Sequence, residues 1–158
     1  MAGRMALDLK TAEALTAPET RESMLLFRDL PDDPLALQQS FRGMFPEKLA
    51  RAMGELLLLR RRATQKFEHG LNMFFTKPQL EQSSSEAVAR YRAGRFAKAG
   101  LKRIHDPCCG MGSDAIALAR AGLQVDAADA DAVAVLFARV NAEVCGVQER
   151  SSFRVSDS

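Results

Sequence analysis

Cysteine is scarce in this chain, three in 158 residues. Two of them are adjacent, Cys108 and Cys109, and the set makes no disulfide framework. No CxxC or His/Cys spacing of the kind that holds zinc is present. No apolar run approaches the ~20 residues that a membrane span needs. The N-terminal stretch carries acids such as Asp8 and no apolar signal core, so no secretory signal is expected. Internal repeats and long low-complexity tracts are also missing, and Ser83–Ser85 is too short to be a linker. Together these absences argue against a disulfide scaffold, a zinc module and a membrane protein, and they make a reduced, cytoplasmic protein the expectation. What remains is ordinary globular composition, 47% apolar and 27% charged, in a length that suits one domain or two small ones.

A large net charge is lacking too, since the formal total is only +2. The charges are unevenly spread, however. Residues 1–47 hold 5 basic against 8 acidic side chains, residues 48–103 hold 13 against 4, and residues 104–158 hold 4 against 8. The middle segment is therefore strongly basic between two acidic ends. Such a segment attracts phosphates, which makes RNA or another nucleic acid a candidate partner through residues 48–103. A solvated helix face accounts for the same charges equally well.

The pattern divides near residue 100. Residues 1–100 read as a helical region. Pro18 suits the first turn of a helix through Met24, Leu25 and Phe27. Pro31 and Pro34 break it, with Asp32 or Asp33 available to cap the next helix. A longer helix starts near Pro46, keeps helical spacing through Leu49, Met53, Leu56, Ala63 and Phe67, and stops at Gly70. The triplet Arg60-Arg61-Arg62 interrupts its apolar stripe and cannot all be buried. Residues 71–82 read as irregular. Ser83 and Glu86 form a capping-box pattern for a helix that runs past Val88, Tyr91 and Phe96 to Gly100.

From Leu101 the chain alternates. A strand through Ile104 leads to a glycine turn, then a helix at about Ser113–Arg120, a strand at Gln124–Asp129, a helix around Ala132–Val144 and a strand at Ser152–Val155. Strands alternating with helices predict an α/β fold, a partial, Rossmann-like, doubly wound parallel sheet over residues 101–158. Right-handed crossovers place its strand ends on one edge, where such folds bind ligands.

The informative stretch is Asp106-Pro107-Cys108-Cys109-Gly110-Met111-Gly112-Ser113-Asp114. Gly110 and Gly112 permit a sharp turn, and the small residues let backbone approach a ligand closely. The next helix offers its first N–H groups there. Asp129 closes the second strand, where a carboxylate can accept both hydroxyl hydrogens of a ribose. Asp157 follows the third strand, where a carboxylate, or equally its neighbours' backbone, can accept from an adenine amino group. Other residues have plainer readings. Cys108 and Cys109 read as small buried turn residues, and Asp114 complements the dipole of its helix. Asp126 reads as surface, and His69 and His105 as structural or exposed. Phe75 and Tyr91 read first as core aromatics and second as the lining of a cofactor or base pocket.

This arrangement resembles the class I S-adenosylmethionine-dependent methyltransferases, whose first motif is a strand ending in an acid followed by Gly-x-Gly-x-Gly. Here Asp106 stands for the acid, and Cys108, Gly110 and Gly112 take the three turn positions, with cysteine replacing the first glycine. Asp129-Ala130-Asp131 with a helix reaching Asn141-Ala142 is similar to the second motif. Phe75-Thr76, Leu80-Glu81-Gln82 and the run Val88–Ala93, followed by the Asp-x-Cys-Cys-Gly turn, resemble bacterial methyltransferase-like proteins with a THUMP-like domain, related to the trimethylguanosine synthase group. The resemblance covers roughly residues 50–158. It implies S-adenosylmethionine as cofactor, held by Asp106, Cys108, Cys109, Gly110, Met111, Gly112, Asp129 and Asp157, the first three strands of the methyltransferase core, and RNA or another nucleic acid as acceptor.

The fourth motif of that family, a Pro-containing catalytic loop, has no counterpart here, so no catalytic residue is assigned. The chain by itself is expected to be inactive, and its incomplete sheet is expected to favour self-association. Two other classes compete. Gly110-x-Gly112-x-x-Ala115 with Asp129 fits the loose dinucleotide fingerprint of an NAD(P)-dependent oxidoreductase, although Asp106 and Pro107 stand where apolar strand residues belong. A non-catalytic helical module in residues 1–100, binding RNA or a partner, is the other.

Overall fold

A computed structural model of the chain describes residues 6–30 and 33–157. The chain divides into two compact units, one reaching to Leu58 and the other beginning at Leu59.

The first unit is helical. It contains α1 (Leu9–Thr16), α2 (Pro18–Leu26), α3 (Pro34–Arg42) and most of α4 (Glu47–Ala63). Asp8 caps α1 by accepting from the Thr11 amide, and Pro18 opens α2. Asp33 caps α3 through the Leu35 amide; Pro31 and Asp32 lie outside the described residues. Leu15, Met24, Leu37 and Phe41 are fully buried, and Phe27 meets Phe41 edge-on at 4.9 Å between ring centroids.

The second unit holds the sheet, together with residues 59–100. The long helix stops at Ala63, short of the predicted Phe67 and Gly70. The chain folds back there in tight turns, with the Lys66 and Phe67 amides both donating to the Ala63 carbonyl. Gly70 serves this fold-back rather than a helix end, since a Cβ on it would lie 2.6 Å from the Ala63 carbonyl carbon. Within residues 71–82, predicted irregular, α5 forms at Lys77–Gln82. Thr76 and Gln79 exchange the two bonds of a capping box, and Pro78 sits in the first turn. The predicted Ser83–Glu86 box does not form. Ser83 ends α5, and Ser85 caps α6 (Glu86–Lys98) by accepting from the Val88 amide. Glu86 is drawn away by the Glu68 amide at 2.7 Å and Arg120 at 2.7 Å.

Three parallel strands follow in the order β1 (Arg103–Asp106), β2 (Gln124–Asp129), β3 (Ser151–Val155), as the sequence pattern predicts. Ile104 pairs with Val125, and Ala127 with Phe153. The crossover helices α7 (Ser113–Arg120) and α8 (Ala132–Val144) both carry the chain in the same direction along the sheet. Right-handed connections therefore lay them on one face, where they pack on each other above Val125, Ala127 and Phe153. On α6, Ala89 and Ala93 are buried, small enough to let that helix lie close to α7. The opposite sheet face is polar. Asp126 there accepts from Ser152 at 2.9 Å and pairs with Arg103 at 3.3 Å.

Two glycines test this packing in opposite directions. Gly70→Ala should destabilise the chain by about 1–3 kcal/mol, because its methyl meets backbone that cannot retreat. Gly94→Ala, inside α6 with nothing within 4 Å of the added carbon, should gain up to ~1 kcal/mol. Denaturant unfolding of both variants checks the pair, and equal effects would contradict the fold-back.

Candidate functional site

β1 and β2 end side by side, and the chain leaving β1 stays attached to its neighbour. The Cys109 amide donates to the Ala128 carbonyl at 2.9 Å. Gly110 and Gly112 then take positive φ of 53° and 92°, a region that only glycine enters cheaply, and the chain bends into α7. Gly112 has a second requirement, because a Cβ there would meet the Ala138 Cβ at 3.1 Å. The turn thus lies directly on α8. The turn leads into the N-terminus of α7, which has no side-chain cap and so leaves first-turn amides open to a ligand.

Asp129 is fixed from two sides. One carboxylate oxygen accepts from the Gly110 amide at 2.8 Å, and the other from the Asp131 amide at 3.0 Å. A carboxylate has about four lone-pair sites, so each oxygen keeps one in hand. Asp131 caps α8 through the Val133 amide. Asp106 ends β1 and accepts from the Cys108 amide at 3.3 Å. Burial pushes its carboxyl above the ordinary value, and the charges of Asp114 and Asp129 push the same way. Asp106 therefore holds a proton more readily in the folded chain than in the unfolded one. Its ionised form subtracts stability at neutral pH, and the cost is relieved as pH falls through the raised value.

The structure brings Asp106, Cys108–Gly112 and Asp129 to one sheet edge. Cys109 and Met111 are buried, whereas Cys108, expected to be buried, is exposed. Burial first, then Asp106 and Asp129, raises the Cys109 thiol to about 12, so it stays protonated and inert. Asp157 follows β3 at the same edge and is exposed, and the neighbouring Ser156 amide donates to the Asp129 carbonyl at 3.0 Å. Asp114, in the first turn of α7, is held by Arg92 at 2.7 Å and Ser84 at 3.1 Å. Phe75 is buried; Tyr91 is 69% exposed, so the core reading fails for it. Its helix buries Ala89 and Ala93 instead.

Two buried polar residues supporting the turn went unrecognised as such in the sequence. Asn141, wholly buried on α8, accepts from the Phe74 amide at 2.7 Å and donates to the Phe74 carbonyl at 2.8 Å and the Met111 carbonyl at 3.0 Å. A single side chain thus ties the Met73–Phe75 segment to the glycine turn. The available signal was a lone amide among the apolar residues at helical spacing on the buried side of α8, such as Phe137 and Ala138. Arg60, 4% exposed, donates to the Met73 carbonyl at 2.9 Å and lies 4.6 Å from the Phe74 ring centroid. It shapes the same segment from the other side.

A cavity of about 390 Å³ runs along α7, bounded by Phe67, Met73, Glu86, Ile116, Arg120 and Cys145. It is not the turn. Burial works against the Glu86 carboxylate there, but the Glu68 amide, Arg120 and Arg90 outweigh it and hold its pKa below the ordinary value. Its polar wall is thus already satisfied internally, which leaves the strand edge as the better candidate.

No family model matches the chain. Two curated relatives from Mycobacterium tuberculosis, one from strain CDC 1551 / Oshkosh and one from strain ATCC 25618 / H37Rv, each carry the name of an uncharacterized S-adenosylmethionine-dependent methyltransferase. Each is 33% identical over 100 residues, which is 60% of this chain. The chain spans 27% of the length of these relatives. Among solved structures, a protein of Porphyromonas gingivalis W83 described as a candidate methyltransferase superposes on 97% of this chain and 37% of its own, with a TM-score of 0.70 at 20% identity. The α/β arrangement is therefore a fold found in that protein.

Replacing Asn141 leaves one amide and two carbonyls without their partner in a dry interior. Asn141→Ala should cost about 2–4 kcal/mol, measured by chemical unfolding. A loss under half a kcal/mol would show that the Phe74 segment is held by something else.

Proposed function

We propose that the unit beginning at Leu59 is the S-adenosylmethionine-binding front part of a class I methyltransferase that acts on RNA or another nucleic acid. The observation that carries it is the charge at the turn. Asp106 and Asp129 end the neighbouring strands β1 and β2 beside it, and Asp129 accepts from the Gly110 amide within it. That field suits the sulfonium and ammonium cations of S-adenosylmethionine. It opposes a pyrophosphate, which is why the NAD(P) alternative fits poorly, although the glycine spacing admits both. The free lone pairs on Asp129 match two ribose hydroxyls. Asp157 and the backbone beside it stand where an adenine amino group would be read. The names of the two mycobacterial relatives agree with this cofactor.

The methyl group on a sulfonium is already activated, so the protein's work is to align a nucleophile and exclude water. The turn's residues hold the cofactor; none of them aligns an acceptor. The chain contains no Asp-Pro-Pro or Asn-Pro-Pro sequence, and we assign no turnover to these 158 residues by themselves. The THUMP-like, trimethylguanosine-synthase-related branch is the narrower placing, supported by Phe75-Thr76, Val88–Ala93 and the Cys-containing turn.

Calorimetric titration with S-adenosylmethionine tests the cofactor assignment. Asp129→Ala should weaken binding by about 1–3 kcal/mol, the cost of a lost buried hydrogen-bonding partner. An affinity equal to that of the unaltered protein would remove the ribose role from Asp129.

A further inference from the structure

We propose that the outward face of α6 is a docking surface for single-stranded nucleic acid. The basic excess of residues 48–103 is mostly spent inside the protein. Arg60 is buried on main-chain carbonyls, and Lys66 donates to the Leu80 carbonyl at 2.6 Å. Arg62 and Lys77 share Glu81, Arg90 and Arg92 hold Glu86 and Asp114, and Arg103 holds Asp126. Arg95, Lys98 and Lys102 have no ion-pair or hydrogen-bond partner for their side chains among the described residues. All three lie in the second half of α6 or just beyond it.

The helix geometry gathers them with exposed rings. Ala89 and Ala93 mark the buried side of α6. At 100° per residue, positions 91, 95 and 98 fall on the opposite side with 88 next to them, while 92 and then 96 lie further round towards the buried stripe. Tyr91 is 69% exposed and Phe96 40%. Phe96 lines a shallow groove with Arg92, Arg95 and Ala99. The helix's sole acid, Glu86, is turned to Arg120 and away from this arc. Asp114, the acid beside Arg92, is already paired with it; the cationic surface that remains takes a polyanion, and flat rings standing in water among its cations take planar groups that stack. Single-stranded nucleic acid supplies both, whereas a duplex hides its base faces. Arg95 and Lys98 also offset the negative end of the helix dipole, but that effect does not account for two aromatic rings left in water. As the track of a methyl acceptor, this surface rests on the function proposed above; as a binding surface, it is separate from the glycine turn.

Fluorescence anisotropy of a labelled oligouridylate with the full chain tests it. Binding should weaken as salt rises. The double variant Arg95→Glu/Lys98→Glu should lose at least about tenfold in affinity. Tyr91→Ala should lose roughly 5- to 100-fold at every salt concentration, with Tyr91→Phe close to wild type, since stacking carries no net charge. No binding at low salt would overturn the proposal, as would variants that bind like wild type or a duplex that binds as tightly as the single strand. S-adenosylmethionine titrations of the same samples separate the two failures. Intact cofactor binding without oligonucleotide binding sinks only the docking surface. Oligonucleotide binding without cofactor binding sinks only the methyltransferase assignment.

Discussion

The three hydrogen bonds of the Asn141 amide decide where the parts of the candidate site stand. Buried in α8, this side chain pairs with both backbone groups of Phe74 as a neighbouring strand would, and spends its remaining donor on Met111 inside the glycine turn. The turn is thereby fixed from below, while Asp129 fixes it from the strand side through the Gly110 amide. An interior amide with all its bonds made rigidifies what it joins; the same amide half satisfied would be a liability. Gly112 completes the arrangement by letting the turn rest on Ala138 without an intervening side chain.

The site is held at some cost to stability. Asp106 is partly desolvated beside two other carboxylates, and its raised pKa records that its charge is unwelcome there. A purely structural strand end would be better served by a neutral residue. Local cost of this kind concentrates where a ligand of opposite charge repays it, and the sulfonium cofactor proposed here would do so where a pyrophosphate would add to it. Cys109, three residues further on, shares the same field and responds with a thiol too hard to ionise to act as a nucleophile.

Much of the second unit was legible because the relevant signals are local. The alternation of strands with helices marked the sheet, and Gly110 and Gly112, both with positive φ, marked the turn after β1. The acid closing β2 was readable from its distance to the turn. What escaped was set by contacts distant in sequence. The Ser83–Glu86 pattern was a sound local capping signal, but Glu86 found stronger partners in the Glu68 amide and Arg120. Tyr91 looked like core by type, yet its helix buries alanines, a choice governed by how closely α6 lies to α7. Asn141 sits 67 residues from the backbone it serves, and periodicity carries no record of such a bond. The basic excess of residues 48–103 was visible as a sum, while the ion pairs that consume most of it were not.

Mapping cofactor contacts residue by residue decides the central claim most directly. In backbone amide spectra of the chain titrated with S-adenosylhomocysteine, the amides of Gly110–Gly112 and Asp129–Asp131 should shift together and saturate with one affinity. An absence of shifts, or shifts confined to residues around Glu86, Arg120 and Cys145, would contradict the assignment of the strand edge as the cofactor site.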